Sequence, residues 1–408
     1  MHGASKPKYR RYLTAYLAAV LMLYAAVFRL EWRAIKIGFP DFSIFYTAAR
    51  IVASGQGSQL YSDHLQESVQ RSFSPAVAVR GSMLPYYHPP FEALLFLPLQ
   101  YLPYLGAYAV WFAINAAAVV AACLVLRRNL PLLAAWPRWL CVLAGFAYLP
   151  VFIALVQGQD SILVLLSYTL AFAAMRHDRD FAAGAWLGLG LVKYHLILPF
   201  VLVLVLARRG KCLAGTLTVA AVLAVLSWMA VGWRGLLSYP GYVWHSEHSQ
   251  KYAWNALQGA RSDLSLVTNL KGLLFSTLHG TDLAVIRVLL VILSFAVLAL
   301  AYRGWKQGAR RGPRGLQLAF AALVIATVLV SYHTFTQDLS LILLAMALTL
   351  DGHPRPTLLL CIAVLFCGPL YLVLITRVGN LQLITMTLLV MFATILVRLR
   401  SLAFSETG

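Results

Sequence analysis

Several polar residues stand at the ends of long apolar runs, where a polar side chain is costly unless it has a partner or binds a substrate. A carboxylate in such a place can take a proton from an attacking hydroxyl, and a lysine or histidine can hold a phosphate. Three patterns stand out: an acid after Pro40, two short polar turns, and a lysine between two apolar runs. The residues are Asp41, Gln159, Asp160, Lys193, His195, His333 and Asp338.

Each of these residues also has a structural interpretation, and the sequence leaves both open. Asp41 precedes a segment with apolar residues at helical spacing, so it is suited to cap that helix. Asp160 and Asp338 are likewise suited to cap the apolar runs that follow them. Lys193 is able to extend its ammonium group toward water, and a single histidine such as His333 is often only a satisfied polar residue.

Other kinds of site leave little trace in the chain. Asp63, His64 and Glu67 resemble an incomplete set of metal ligands in a loop, and we predict no metal and no cofactor. Phosphate-binding glycine loops, dinucleotide fingerprints and nucleophile elbows are absent from the sequence. The five cysteines lie in or beside apolar runs and form no disulfide or zinc pattern.

Composition sets the class of protein that must position these residues. The chain has 408 residues, of which 61% are hydrophobic and 12% charged, and its mean hydropathy is +0.76. Such a chain is an all-α polytopic membrane protein, because lipid is the solvent for that much apolar surface. The net charge of +19 is explained by basic cytoplasmic loops, so we predict contact with membrane lipid and no nucleic-acid partner.

The alternation of basic loops predicts the topology. We expect a single membrane domain over 1–408, both termini in the cytoplasm, and an uncleaved anchor near the N-terminus. The short run 91–103 is predicted to enter without crossing, and the long outer loops are 31–90 and 232–282. About twelve spans are expected, near 11–30, 104–126, 138–157, 160–175, 181–192, 195–207, 211–231, 283–302, 315–332, 336–350, 355–374 and 380–398.

The chain resembles glycosyltransferase family 87, whose members are polyprenol-phosphate-mannose-dependent mannosyltransferases of the GT-C superfamily. The resemblance covers roughly 35–345. Ser161 departs from the family pattern, which often has asparagine there, and the 232–282 loop matches only loosely. The matching residues are Asp41-Phe42, Tyr46, Ala48, Ala49, Gly55, Leu60-Tyr61, Tyr87-His88-Pro89-Pro90, Leu97-Pro98-Leu99, Leu102-Pro103, Gly158-Gln159, Gly184, Gly188, Lys193, His333 and Asp338-Leu339.

The resemblance implies a GT-C fold. The charge-based topology and the polar residues at the outer ends of the runs predict interfacial helices in the first outer loop and a site that faces outward from the plasma (inner) membrane. The resemblance implies that Asp41 is the catalytic base, and that Lys193 and His333 contact the donor phosphate. The partners implied are a polyprenyl-phosphate-linked sugar and a glycolipid or glycan acceptor, with 232–282 as the acceptor region. Further candidates for substrate binding are Tyr46, Tyr87, His88, Gln159, Asp160, His195, Asn255 and Asp338.

Two alternatives remain at this stage. Twelve helices with both termini inside is also a common plan for a transporter or a flippase of a lipid-linked sugar. A GT-C transferase with another donor, such as a polyprenyl-phosphate arabinose, is equally compatible, because sugar selectivity depends on a few hydroxyl contacts.

Overall fold

The computed structural model describes residues 6–248, 263–278, 280–350 and 354–404, and these residues form helices and turns without any strand. Seven helical segments have the length and hydropathy that a membrane span needs, or nine if each of two bent pairs is counted as one span. An all-α polytopic membrane protein is therefore confirmed, whereas the count of about twelve spans stays a prediction.

Twenty α-helices lie within the described residues. The first ten are α1 Lys6–Lys36, α2 Phe42–Ala53, α3 Asp63–Arg71, α4 Ala76–Arg80, α5 Pro90–Phe96, α6 Tyr104–Asn129, α7 Pro131–Ala134, α8 Arg138–Ala147, α9 Leu149–Gln157 and α10 Ser161–Arg176. The others within the described residues are α11 Asp180–Leu189, α12 Tyr194–Leu206, α13 Gly210–His248, α14 Leu270–Thr277, α15 Leu283–Gly308, α16 Gly312–Val330, α17 Ile342–Leu350, α18 Pro356–Phe366, α19 Gly368–Val373 and α20 Gln382–Phe404.

Residues 180–206, one of the seven segments, form a hairpin. Arg209 Nη2 donates to Asp180 Oδ1 at 2.9 Å, so the residues that follow α12 lie beside the start of α11. A straight helix of this length would extend for about 40 Å and would keep the two ends apart. The chain reverses at Lys193, whose φ of −117° and ψ of 68° are not helical. The two separate runs predicted on either side of Lys193 are thus found.

The hairpin is fixed in place by close contact with α13. A Cβ built on Gly184 would lie 1.7 Å from the carbonyl oxygen of Cys212, and one built on Gly188 would lie 2.6 Å from the Cβ of Val219. Because the two contacts advance together along both helices, α11 and α13 run parallel. Glycine at these positions lets the two helices approach closely, as small residues do in membrane proteins.

Two short apolar helices place polar residues inside the bundle. α10 has 16 residues and is about 24 Å long, which is shorter than the roughly 30 Å of a bilayer core. It begins just after Asp160, and the apolar helix Thr336–Leu350 begins two residues before Asp338. Both carboxylates are buried, at 0% and 1% exposure. The N-terminal ends of both helices, which bear these carboxylates, therefore lie inside the protein and do not face lipid.

The first long loop folds into a compact cap. Two buried glutamines hold it together: Gln66 Oε1 accepts from the Tyr86 amide at 2.7 Å, and Gln70 Oε1 accepts from the Leu84 amide at 2.9 Å. The loop contains α2, α3 and α4, so the predicted helices are present. The run 91–103 forms α5 and a 3₁₀ turn at Leu97–Tyr101, both too short to span a bilayer.

Loops that the sequence assigns to the cytoplasm contact one another. Arg10 Nη2 donates to the carbonyl of Ala135 at 3.2 Å, and the His177 ring lies 3.1 Å from the amide oxygen of Asn129. These contacts support a common face for the loops, while the side of the membrane stays a prediction.

Candidate functional site

The turn between α9 and α10 brings the first outer loop to the centre of the site. Gly158 has a φ of +64°, and a Cβ at this residue would lie 2.7 Å from the Cβ of Phe42. Trp111 Nε1 donates to the Gly158 carbonyl at 2.9 Å and fixes the turn. The backbone of residues 157–160 therefore packs directly against the start of α2, next to Asp41.

Asp41 is half-buried and faces this turn. Gln159 Nε2 donates to Asp41 Oδ2 at 2.6 Å, and the Asp41 amide donates to Gln157 Oε1 at 3.2 Å. The Asp41 side chain makes no capping hydrogen bond to α2, although the residue occupies the N-cap position. The capping interpretation is wrong for its carboxylate, which points toward the 157–160 turn instead.

Burial raises the pKa of the Asp41 carboxyl above its ordinary value. The hydrogen bond from Gln159 and the charges of Lys193 and Arg80 act in the opposite direction, but desolvation is larger. Arg80, at the end of α4, is held by a hydrogen bond of 3.1 Å from its Nη2 to the Gly38 carbonyl. Sequence reasoning missed this residue because nothing in its neighbourhood forms a motif.

Lys193 lies at the turn of the hairpin and is only 5% exposed. Its Nζ lies 2.9 Å from Asp338 Oδ1, 3.1 Å from Gln159 Oε1 and 3.2 Å from Asp160 Oδ1. The contacts to Asp338 and Gln159 are hydrogen bonds, whereas Asp160 lies at ion-pair distance. The interpretation that Lys193 extends into water is wrong.

Asp338 combines the two roles that the sequence left open. Its Oδ2 accepts from the Phe335 amide at 3.0 Å, which is a local turn-capping contact. Its Oδ1 accepts from Lys193 and from Ser161 Oγ, the latter at 2.8 Å. Ser161, where the sequence departs from the family pattern, thus supports the carboxylate that pairs with Lys193.

Asp160 makes no capping bond to α10, so the capping interpretation is wrong for Asp160.

An aromatic and imidazole surface borders the lysine cluster. The His195 and His333 rings have centroids 6.3 Å apart, and Tyr87 meets His333 edge-on at 6.3 Å. Tyr87 also stacks on His88, with centroids 5.3 Å apart. Burial lowers the pKa of His333 to about 3, and His195 contributes in the same direction. The His333 ring is therefore neutral at ordinary pH.

His88 contacts Glu92, an acid that the sequence analysis did not select as a candidate. The His88 Nδ1 lies 2.9 Å from Glu92 Oε2, and Glu92 is 0% exposed. His88 precedes α5 and Glu92 lies in its first turn, so helical spacing does not explain the contact and no sequence signal identifies the pair. Burial, followed by the charge of Asp160, raises the pKa of Glu92 well above its ordinary value.

Three groups of sequence candidates lie elsewhere. Tyr46 donates its hydroxyl to the Leu102 carbonyl at 2.7 Å, so it has a structural partner within the cap. Asn255 is outside the described residues. The loop acids noted for metal have protein partners: Glu67 pairs with Arg71 at 2.7 Å, and Tyr242 Oη donates to Asp63 Oδ1 at 2.9 Å.

Comparison with known proteins gives one match. A model described as glycosyltransferase family 87 matches residues 86–332, which is more than half of the chain. The matched range contains the 157–160 turn, the hairpin and the end of α16. No curated protein and no solved structure matches.

Proposed function

Because the chain belongs to glycosyltransferase family 87 and is a membrane glycosyltransferase, we propose that it transfers a sugar from a polyprenyl-phosphate donor to an acceptor hydroxyl. The family resemblance favours mannose as the sugar and a glycolipid or glycan as the acceptor. The distribution of basic loops favours a site that opens to the outer face of the plasma (inner) membrane.

One observation carries the proposal: Gln159 bridges the proposed base and the buried lysine. Its Nε2 donates to Asp41 Oδ2 at 2.6 Å, while its Oε1 accepts from Lys193 at 3.1 Å. A single amide group therefore separates the Asp41 carboxylate from the Lys193 ammonium, although the two residues come from distant segments. The acceptor hydroxyl and the anomeric carbon of the donor must meet during transfer, so the groups that bind them must lie close together.

The chemistry is a single displacement. The acceptor oxygen forms a bond to the anomeric carbon, and the bond from that carbon to the donor phosphate breaks. Asp41 takes the hydroxyl proton, and the polyprenyl phosphate leaves with the bonding electrons. One attack from the side opposite the phosphate inverts the anomeric configuration. The leaving group is already a good one, so a second carboxylate acting as acid is not needed, in contrast to glycoside hydrolases.

The geometry narrows the roles proposed for the two phosphate-binding residues. Lys193 donates hydrogen bonds to Gln159 and Asp338 and forms an ion pair with Asp160, so we assign it the task of holding these three side chains in position. His333 lies on the adjoining surface with a neutral ring, and a neutral imidazole can donate one hydrogen bond to a phosphate oxygen.

An apolar groove next to this surface suits the polyprenyl chain. The groove has a volume of about 530 Å³ and is lined by Leu198, Leu202, Leu298 and Val330, among others. Leu198 is 54% exposed and Leu202 is 44% exposed. Leu198 follows His195 by three residues, and Val330 precedes His333 by three. We therefore place the lipid tail in the groove and the phosphate at its polar end.

The experiment incubates the purified full chain in lipid nanodiscs with polyprenyl-phosphate mannose, glucose or arabinose and a panel of glycolipid acceptors. Released polyprenyl phosphate and the glycosylated product are measured by mass spectrometry. We expect product with one donor, and a fall of roughly 10²- to 10⁴-fold in the Asp41→Asn variant, because a positioned base contributes about that much. Asp63→Asn is the matched control, since this acid lies in the same loop and pairs with Tyr242.

Full transfer by folded Asp41→Asn protein would remove Asp41 as the base. Movement of the labelled donor across vesicles without any new glycosidic bond would support the flippase alternative instead. Turnover with the arabinose donor alone would retain the enzyme class and change the sugar.

A further inference from the structure

Three potential metal ligands meet beside the lysine cluster. One ring nitrogen of His88 and one carboxylate oxygen each from Glu92 and Asp160 all lie within 4.8 Å of one another. We propose that these residues bind a divalent cation. The ligands come from the start of α5 and from the turn before α10, two segments that are distant in sequence.

One oxygen of Glu92 is bonded to His88, but the other carboxylate oxygens of this group have no hydrogen bond of good geometry within the described residues. Glu92 and Asp160 are both 0% exposed. Glu92 Oε1 and both oxygens of Asp160 receive no hydrogen bond, and Lys193 contacts Asp160 Oδ1 only as an ion pair at 3.2 Å. A buried carboxylate oxygen without a donor is costly, so these orphaned oxygens indicate a group that is absent from the described chain.

Charge points to the same group. The buried cluster has three carboxylates, Glu92, Asp160 and Asp338, and one ammonium, Lys193. Acidic side chains therefore outnumber basic ones in this buried space, and a cation bound among them would offset their charge. An incoming donor phosphate would add a further negative charge to the same space, which makes a cation there more favourable.

The donor set defines the chemical class of the ion. One imidazole nitrogen with two carboxylate oxygens suits Mn²⁺ or Zn²⁺ better than Ca²⁺ or Mg²⁺, which prefer oxygen ligands alone. Ligands about 2.1 Å from one metal lie at most about 4.2 Å apart, so atoms within 4.8 Å of one another need to close on the ion by no more than about 0.6 Å. This movement is within the range of carboxylate side-chain rotation.

This inference replaces the sequence-based prediction of a metal-free site. That prediction considered Asp63, His64 and Glu67, which are neighbours in sequence. The ligand set found here depends on the packing of α5 against the turn that bears Asp160. The proposed metal site does not rest on the proposed sugar transfer, because cation binding is measured without any substrate.

The experiment measures metal content in the purified full chain. The protein is incubated with Mn²⁺ or Zn²⁺, desalted, and analysed by inductively coupled plasma mass spectrometry. We expect about one ion per chain in the wild type and loss of the ion in Glu92→Gln, which keeps the size of the side chain and removes its charge. His88→Gln is the second ligand variant. Glu67→Gln is the matched control and should keep the ion, because Glu67 pairs with Arg71 on the surface.

Thermal unfolding gives a second measurement. A chelator should lower the unfolding temperature of wild type and Glu67→Gln, and should leave Glu92→Gln unchanged, because an ion that binds only the folded state stabilises it. Equal metal content in wild type, Glu92→Gln and His88→Gln would identify an adventitious ion only and overturn the proposal. A wild type without metal would also overturn it and would leave a proton shared by Glu92 and Asp160 as the occupant.

Discussion

Replacement of Gln159 by leucine tests how the site controls its proposed base. The Gln159 amide donates to Asp41 Oδ2 at 2.6 Å and thereby stabilises the ionised carboxylate. Burial already raises the pKa of Asp41, and this hydrogen bond counteracts part of the increase. Without the bond the ionised form is less stable, so the pKa of Asp41 rises further.

The expected size of this change follows from the strength of such bonds. A hydrogen bond to a charged group contributes about 1.5–3 kcal/mol, and one pKa unit corresponds to about 1.4 kcal/mol. Because Asp41 is half-buried and water can replace part of the lost interaction, we take the lower end and expect an increase of about one unit. A base must be deprotonated, so the activity of Gln159→Leu should fall away at a pH about one unit higher than that of wild type.

The assay is the pH dependence of kcat/KM, which reports the pKa of the free enzyme. Gln157→Leu is the matched control: Gln157 belongs to the same turn, but its Oε1 accepts from the Asp41 backbone amide at 3.2 Å and does not touch the carboxylate. This control should keep the wild-type pH profile. If kcat/KM falls at the same low pH in wild type and in Gln159→Leu, the reasoning is refuted. Either that fall does not report Asp41, or Gln159 does not control the pKa of Asp41.

Two further predictions concern stability, measured as the free energy of unfolding or the unfolding temperature in detergent. Gly184→Ala should destabilise by about 1–3 kcal/mol, because its Cβ would lie 1.7 Å from the Cys212 carbonyl and would force α11 and α13 apart. Gly210→Ala is its control, since no atom lies within 4 Å of a Cβ there, and an equal loss in both would contradict the packing argument. Lys193→Met should cost about 3–5 kcal/mol, because buried carboxylates lose their cation; unchanged stability would show that those acids are already protonated.

The sequence predicts the helical class and most of the site. Its apolar runs locate the helices, because each run must satisfy its own backbone in lipid. Asp41, Lys193 and Asp338 were found from their type and position beside these runs. Their mutual contacts could not be predicted, since hydrogen bonds through Gln159 depend on how a left-handed turn at Gly158 packs on Phe42.

The residues that the sequence analysis overlooked or assigned wrongly also have physical explanations. Glu92 follows a proline pair at the start of a short helix, where an acid is expected on helix-dipole grounds alone, so its burial was not visible. The charge of Arg80 acts on Asp41 because α4 lies close to Gly38, whose carbonyl accepts a hydrogen bond from Arg80. Tyr46 was selected through the family pattern, but its hydroxyl bonds to the Leu102 carbonyl within the cap.

The buried lysine at the hairpin turn also constrains how the protein is made. Asp338, the residue that binds its ammonium group most closely, is synthesised 145 residues after it. At about 5–20 residues per second, a ribosome needs roughly 7–30 s to cover that distance. Until then its ionic partner among the described residues is Asp160, which precedes it in the chain. The candidate site is therefore complete only after the last third of the chain has been made.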